Sequence, residues 1–543
     1  MARRLLILAI SAVLAAPTAA LAQALPDEVR AAGVTLVQWN AVQTRWRQAA
    51  SEKHVSERAL GAVCTKMGIQ LAKGRRLEMT QLIALIDSRA DEISALNQRL
   101  AQQAEDSDPA TAALLDDAKA AIDAGDLEAA EQKLDQADAT AAKAIENAQR
   151  KRAEVRATAA EVKALEFDYL GAAAKYGEAA GLLPADDARG RWAYATKQAG
   201  MLEKRGDLFD EPQPLRQAVA LYRDTALPLA SRDAHPAAWA ATQNDLGIAL
   251  AVLGARGDAQ AQAGAIAAYH ATLEVETRER DPTAWAQTET NLGNALMIAG
   301  SRGDDQALKD AIAAYRVALE VDTRERDASV WAADQSNLGT ALRHLGALGE
   351  GLGRSDVQVL QDSAAAFRLA LEVDTREHDP EAWARDQNNL GDTLLVLGVV
   401  LGDGKALHAA AAAFRGAIEV WTRDRDPTDW AKAEANLGAA LERIGVKDHD
   451  EQALNDAAAA FQAALEVQTR DRDPAHWAMS ENGLGTTLEV LGLLGDDKAL
   501  ADAVAAYRSA LEVLTPSDYP AYAKGVSANL ARAEAALAGR QQH

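Results

Sequence analysis

Apolar positions along the second half of the chain recur on helical spacing, in pairs of stripes. Trp285, Leu292 and Leu296 fall at i, i+7 and i+11, one face of a helix. After a break at Gly303-Asp304-Asp305, Leu308, Ile312, Tyr315 and Leu319 fall at i, i+4, i+7 and i+11, again one face. Asp281 has the chemistry of an N-cap, and Pro282 suits the first helical position. The spacing therefore predicts two helices per unit. Neither helix can bury its stripe alone, so successive units must stack.

The unit recurs. Tryptophan marks it at Trp239, Trp285, Trp331, Trp383, Trp430 and Trp477, at intervals of 46, 46, 52, 47 and 47 residues. An Asn-Leu-Gly or similar triplet follows each tryptophan, then a Gly/Asp turn, an Ala-rich stripe with one aromatic, and a Thr-Arg-Glu/Asp-Arg-Asp run such as Thr323 to Asp327. The 52-residue interval holds six extra residues between Leu342 and Phe367, with Gly346, Gly349, Gly351 and Gly353, and reads as a tolerated surface loop.

These residues resemble the tetratricopeptide repeat family, whose motif pairs Leu-Gly in the first helix with Ala-x3-aromatic-x2-Ala in the second. Leu292-Gly293 with Ala311, Tyr315 and Ala318 matches it. So do Leu390-Gly391 with Ala410, Phe414 and Ala417, Leu437-Gly438 with Ala457, Phe461 and Ala464, and Leu484-Gly485 with Ala503, Tyr507 and Ala510. The usual period of the family is about 34 residues. The longer units here are similar to the long-helix repeats of kinesin light chain. Part of the excess lies between Leu296 and Ala311, 15 residues apart. The resemblance implies an all-α, right-handed α-α superhelix with a concave groove.

The repeat signal divides the chain. Residues 233–540 read as about six long repeats with a capping C-terminal helix, and 110–232 as divergent helices of the same kind, where Ala172, Tyr176, Ala179 and Pro184 repeat the second-helix pattern. Residues 23–108 differ. Met79, Leu82, Ile86, Ile93, Leu96 and Leu100 alternate at 3-4 spacing, with Arg89 the one interruption. That stripe fits either a short coiled coil, which would make a homo-oligomer through residues 79–100, or a helical hairpin packed on the first repeat. Residues 1–22 read as a secretory signal peptide: Arg3 and Arg4, an apolar stretch from Leu5 to Ala16, and Ala20-Leu21-Ala22 before a cleavage point. This predicts a periplasmic or secreted protein with no membrane insertion after cleavage.

Composition narrows the partners. Lys and Arg total 57 against 80 Asp and Glu, a net charge of -23. So acidic a chain repels phosphate backbones and anionic lipid, which disfavours nucleic acid and membrane surfaces and leaves a basic or neutral protein or peptide. Cys64 is the only cysteine, so neither an intramolecular disulfide nor a cysteine-based metal site can form; burial is the expected state. The nine histidines show no metal-binding spacing, and no nucleophile, phosphate or dinucleotide motif occurs. No enzyme, cofactor or metal is expected.

Two repeated features remain as candidate chemistry. The tryptophans read as repeat core, each burial stabilising by about 4–6 kcal/mol from roughly 200 Å² of surface. Asn291, Asn337, Asn389 and Asn436 each lie six residues after a tryptophan, with Gln335 and Gln387 two positions earlier in their repeats. By resemblance this position faces the groove, where an amide can donate to and accept from the backbone of an extended peptide. The competing reading is an internal ladder of amides between repeats. The function expected is an exported scaffold that holds a protein or peptide partner. The alternative is a self-assembling envelope protein, oligomerising through its N-terminal helices, in cell-envelope or cell-division organisation.

Overall fold

The computed structural model describes residues 36–71, 79–141, 148–348 and 355–540. The signal-peptide segment and Gly349, Gly351 and Gly353 lie outside them. Every regular element among the described residues is helical. The chain divides into two compact units, residues 1–280 and 281–543, a division that falls inside the run of long repeats.

In the first unit, α1 (Leu36–Glu52), α2 (Glu57–Leu71) and α3 (Met79–Glu105) precede α4 (Pro109–Ala124) and α5 (Leu127–Ala141). The apolar stripe of α3 is spent inside its own chain. Ile86, Ile93, Leu96 and Leu100 are buried in one cluster with Leu60, Cys64 and Met67 of α2, and with Leu115 and Ile122 of α4. Arg89 does not break the stripe; it joins the core. Its side chain is 2% exposed, its Nη2 donates to the Tyr169 hydroxyl at 2.7 Å, and its guanidinium lies 4.7 Å from the centre of the Phe167 ring. A coiled coil between chains through residues 79–100 would need this same stripe, which α1, α2 and α4 already cover. Cys64 is buried in the same cluster, and burial pushes its thiol pKa up.

The first unit continues with α6 (Ala148–Leu165), α7 (Tyr169–Leu182), α8 (Ala188–Leu208) and α9 (Pro212–Leu221), then α10 (Pro236–Ala255) and α11 (Ala259–Leu273). The second unit is five helix pairs and a last helix: α12 (Pro282–Gly300) with α13 (Asp305–Ala318), α14 (Ala328–Leu348) with α15 (Ser355–Ala370), α16 (Pro380–Leu401) with α17 (Gly404–Val420), α18 (Pro427–Asp448) with α19 (Glu451–Leu465), α20 (Pro474–Leu494) with α21 (Asp497–Leu511), and α22 (Pro520–Arg540). Caps follow the repeat. Asp281, Asp379 and Asp473 accept from the backbone N–H three residues on, each before a proline at the first helical position. Asp304, Asp450 and Asp496 do the same for the second helices, and Asp403 accepts from the N–H two residues on. Each cap satisfies donors that a helix start leaves open.

Two glycines seven residues apart hold each pair together. A Cβ added at Gly293, Gly391 or Gly485 would stand 2.6–2.8 Å from the ring of Tyr315, Phe414 or Tyr507 on the partner helix. One at Gly300, Gly398 or Gly492 would stand 2.4–2.7 Å from Leu308, Leu407 or Leu500. The first contact is the Leu-Gly and aromatic pairing of the motif. The second extends the pair by two helical turns, and it occupies part of the extra length between Leu296 and Ala311.

The glycine contacts predict opposite outcomes for one substitution. Gly391→Ala should destabilise by about 1–3 kcal/mol, because the added methyl overpacks the Phe414 ring. Gly525→Ala, in α22 with nothing within 4 Å of the new methyl, should stabilise by up to about 1 kcal/mol. Urea unfolding of the two variants measures both.

Candidate partner-binding face

Each first helix of the second unit turns one side to its partner helix and leaves another open. On α16 this register carries Arg385, Asn389 and Val399, exposed or half-buried, while between them Val396 packs against the core and burial pushes the Asp392 carboxyl up to about 6. The same register on α14 gives Ala333, Asn337, Thr340 and His344, and on α18 Lys432, Asn436, Ala439, Arg443 and Val446. The four candidate asparagines thus share one face, all half-buried. Their bonding differs. Asn436 Nδ2 donates to Asn388 Oδ1 at 3.2 Å, from one first helix to the one before it. Asn291 Oδ1 accepts from Gln287 on its own helix at 3.4 Å. The amides of Asn337 and Asn389 have no hydrogen-bond partner among the described residues. Gln335 is nearly buried and Gln387 half-buried, both beside that face.

The open face ends in an apolar edge. Val399, Val400 and Leu401 of α16, Val446 of α18, and Leu493 and Leu494 of α20 are all exposed at the same end of successive first helices. In the first unit, Asp245 takes the asparagine position. Burial pushes its carboxyl up to about 6, and that of Glu203, bonded to the Tyr222 hydroxyl, up to about 7, with Asp245 repelling it.

The tryptophans lie elsewhere. All six are half-buried, short of the full burial their stripe predicts. The alanine after each one (Ala240, Ala286, Ala332, Ala384, Ala431 and Ala478) is fully buried. Where first helix meets second, Ala286 packs near Ala318 and Ala384 near Ala417. Methyls set the helix separation there, and the indole is left to cover the side of the contact. Trp285 packs on Val321, and Trp383 and Trp430 on Val420 and Trp421. Arg324 lies 5.8 Å from the Trp331 ring centre.

The Thr-Arg runs form ion pairs one repeat apart. Arg232 meets Glu274 at 2.6 Å, Arg324 meets Glu372 at 2.6 Å, and Arg376, Arg423 and Arg470 meet Glu419, Glu466 and Glu512. All are about half exposed, so each contributes at most about 1 kcal/mol.

A further set of polar residues stands three positions after each tryptophan: Thr242, Thr288, Asp334, Asp386 and Ser480, with Ala433 in one repeat, all buried. The period marks the position, but its residues vary too much in identity to show one role in the sequence. Thr290 Oγ1 donates to Asp334 Oδ1 at 2.9 Å, and Ser336 Oγ to Asp386 Oδ1 at 2.6 Å, each from one first helix to the next. Ser480 Oγ donates to Gln468 Oε1 at 2.6 Å, back to the segment before its own helix. The internal polar ladder between repeats exists mainly at these positions.

The last repeat is closed by α22. Glu489, 2% exposed, accepts from the Tyr507 hydroxyl at 2.7 Å and from Arg532 Nε and Nη2 at 2.5 and 2.8 Å. Among the described residues no group of three His, Cys, Asp or Glu side chains is placed to hold a metal ion. Arg532→Ala leaves a buried carboxylate without its cation and should destabilise by about 2–4 kcal/mol. Arg470→Ala, which breaks an exposed pair, should cost less than about 1 kcal/mol. Thermal and urea unfolding of the two variants side by side give the comparison.

No family model and no curated protein matches this chain. Solved structures do. The C-terminal part of a TPR repeat-containing protein from Cytophaga hutchinsonii is 13% identical over 60% of this chain and 98% of its own, with a TM-score of 0.37. The Cut9–Hcn1 hetero-tetramer of the APC/C is 14% identical over 90% and 95%, at 0.35. The TPR domain of P58(IPK) is 13% identical over 80% and 99%, at 0.23. The chain's own helix pairs carry the fold: with a Leu-Gly step closed by an aromatic in each long repeat, and pair stacked on pair, it is an all-α array of helix pairs that resembles tetratricopeptide repeats.

Proposed function

We propose that this protein is an exported scaffold that holds a segment of a protein partner along the open face of its first helices. The observation that carries the reading is the state of Asn337 and Asn389. Two half-buried amides, one repeat apart on the same face, have no hydrogen-bond partner among the described residues. An amide so placed is only partly hydrated, and the backbone of a bound segment can both donate to it and accept from it. The apolar edge at Val399, Val446 and Leu493 gives the same face a region that gains by covering. The net charge of -23 favours a basic or neutral partner. Export rests on the Arg3-Arg4 start, the apolar stretch from Leu5 and the Ala20-Leu21-Ala22 step. None of the described helices is long and apolar enough to cross a membrane.

The double variant Asn337→Ala/Asn389→Ala tests the reading in a crosslinking pull-down from the cell envelope. Two hydrogen bonds at about 1 kcal/mol each correspond to a weakening of about tenfold or more. The helical circular dichroism should stay unchanged. Undiminished capture contradicts the proposal, as does loss of the helical signal, which would make the amides structural.

A further inference from the structure

Successive pairs in the second unit are joined at a recurrent point. The residue nine positions before each tryptophan, just past the end of a second helix, meets the residue three positions after it, on the next first helix. The contents of that joint vary. At one it is Gln468 with Ser480, amide to hydroxyl. At another it is Trp421 with Ala433, both buried in one apolar cluster. At the two joints before these it is a pair of carboxyls: Asp322 with Asp334, and Asp374 with Asp386.

All four carboxyls are buried, Asp334 to 1% exposure and Asp386 to 0%. Among the described residues no cation is bonded to either pair. Facing Asp334 are the Thr290 hydroxyl from α12 and the Asp322 carboxyl, with Arg326 and Asp327 acting on Asp322 from the loop. Facing Asp386 are the Ser336 hydroxyl from α14 and the Asp374 carboxyl, with Arg385 and Asp379 also nearby. A hydroxyl has one proton to give, and Thr290 gives its proton to Asp334 Oδ1. Asp334 Oδ2 is then a buried acceptor with no donor. A proton on one of the two facing carboxyls turns that contact into a hydrogen bond; without it, two anions share a space closed to water.

We propose that these two junctions are proton-sensitive joints, in which one proton shared by Asp322 and Asp334, and another shared by Asp374 and Asp386, holds the end of one helix pair against the first helix of the next. Burial raises all four aspartates; the facing carboxyl raises Asp334 and Asp386 further, to about 7, while the hydrogen bond it shares favours the charged form of Asp322 and of Asp374, so the proton resides on Asp334 and on Asp386. An aspartate in the unfolded chain loses its proton near pH 4. Between there and neutrality the folded joint holds protons that the unfolded chain has lost. The stabilisation is therefore complete in acid and falls as pH rises through the folded value. The Gln468–Ser480 joint has no titrating group of its own and serves as a control inside the same molecule.

Hydrogen exchange on the full chain between pH 5.5 and 8, corrected for the intrinsic rate, tests this. Amides of 318–334 and 370–386 should lose protection at least about tenfold more than those of 464–480. The variant Asp374→Gln/Asp386→Ser, which copies the Gln468–Ser480 joint, should make 370–386 behave like 464–480 and leave 318–334 pH-sensitive. Equal pH response at all three joints of the unmodified protein overturns the proposal without any variant. So does a variant that stays folded and keeps the full response at 370–386.

Discussion

The structure depends on how closely two helices approach within each pair. Gly293, Gly391 and Gly485 admit an aromatic ring where a methyl would stand under 3 Å from it, and Gly300, Gly398 and Gly492 admit a leucine seven residues further on. Two contact points fix both the separation and the angle of a pair, where one would leave the long helices free to splay. With the pair closed on one side, the first helix has another side left for its surroundings. The half-buried amides, the apolar edge and the buried polar ladder all follow from that division of a helix surface.

Stacking is held by weaker and more varied means than pairing. The ion pairs of the Thr-Arg runs repeat faithfully but sit half in water, where they set register more than they stabilise. The buried joints before each first helix change from carboxyl pairs to an apolar contact to an amide–hydroxyl bond along the second unit. An array with uniform pairs and non-uniform joints can differ locally in how firmly neighbouring pairs are held. Asp334 and Asn337 lie one turn apart on α14, and Asp386 and Asn389 on α16, so joint and open face share the same two helices.

Much of this was legible in the sequence, because a 46-residue period writes each contact several times. The paired helices and their Asp caps could be read from spacing, and the Leu-Gly and aromatic contact from the resemblance. Three things could not. Tryptophan periodicity marks the helix side but not the depth; the small Ala286 and Ala384 take the closest contact and leave the indoles half-covered. The 3-4 stripe of α3 is the same whether it is covered by another chain or by α2 and α4, and only the fold shows Ile86 and Leu96 covered from within. The polar residues three places after each tryptophan vary in identity, so their common role is visible only once Thr290 and Ser336 are seen bonding the next helix.

The central claim is that the open face of the first helices receives the partner. A photo-crosslinking side chain placed at Asn389 reads that face directly, with the same group at Arg415, exposed on the second helix α17, as the control. The account predicts a discrete crosslinked partner from Asn389 and none from Arg415. Crosslinking from Arg415 alone, or the same products from both positions, would contradict it.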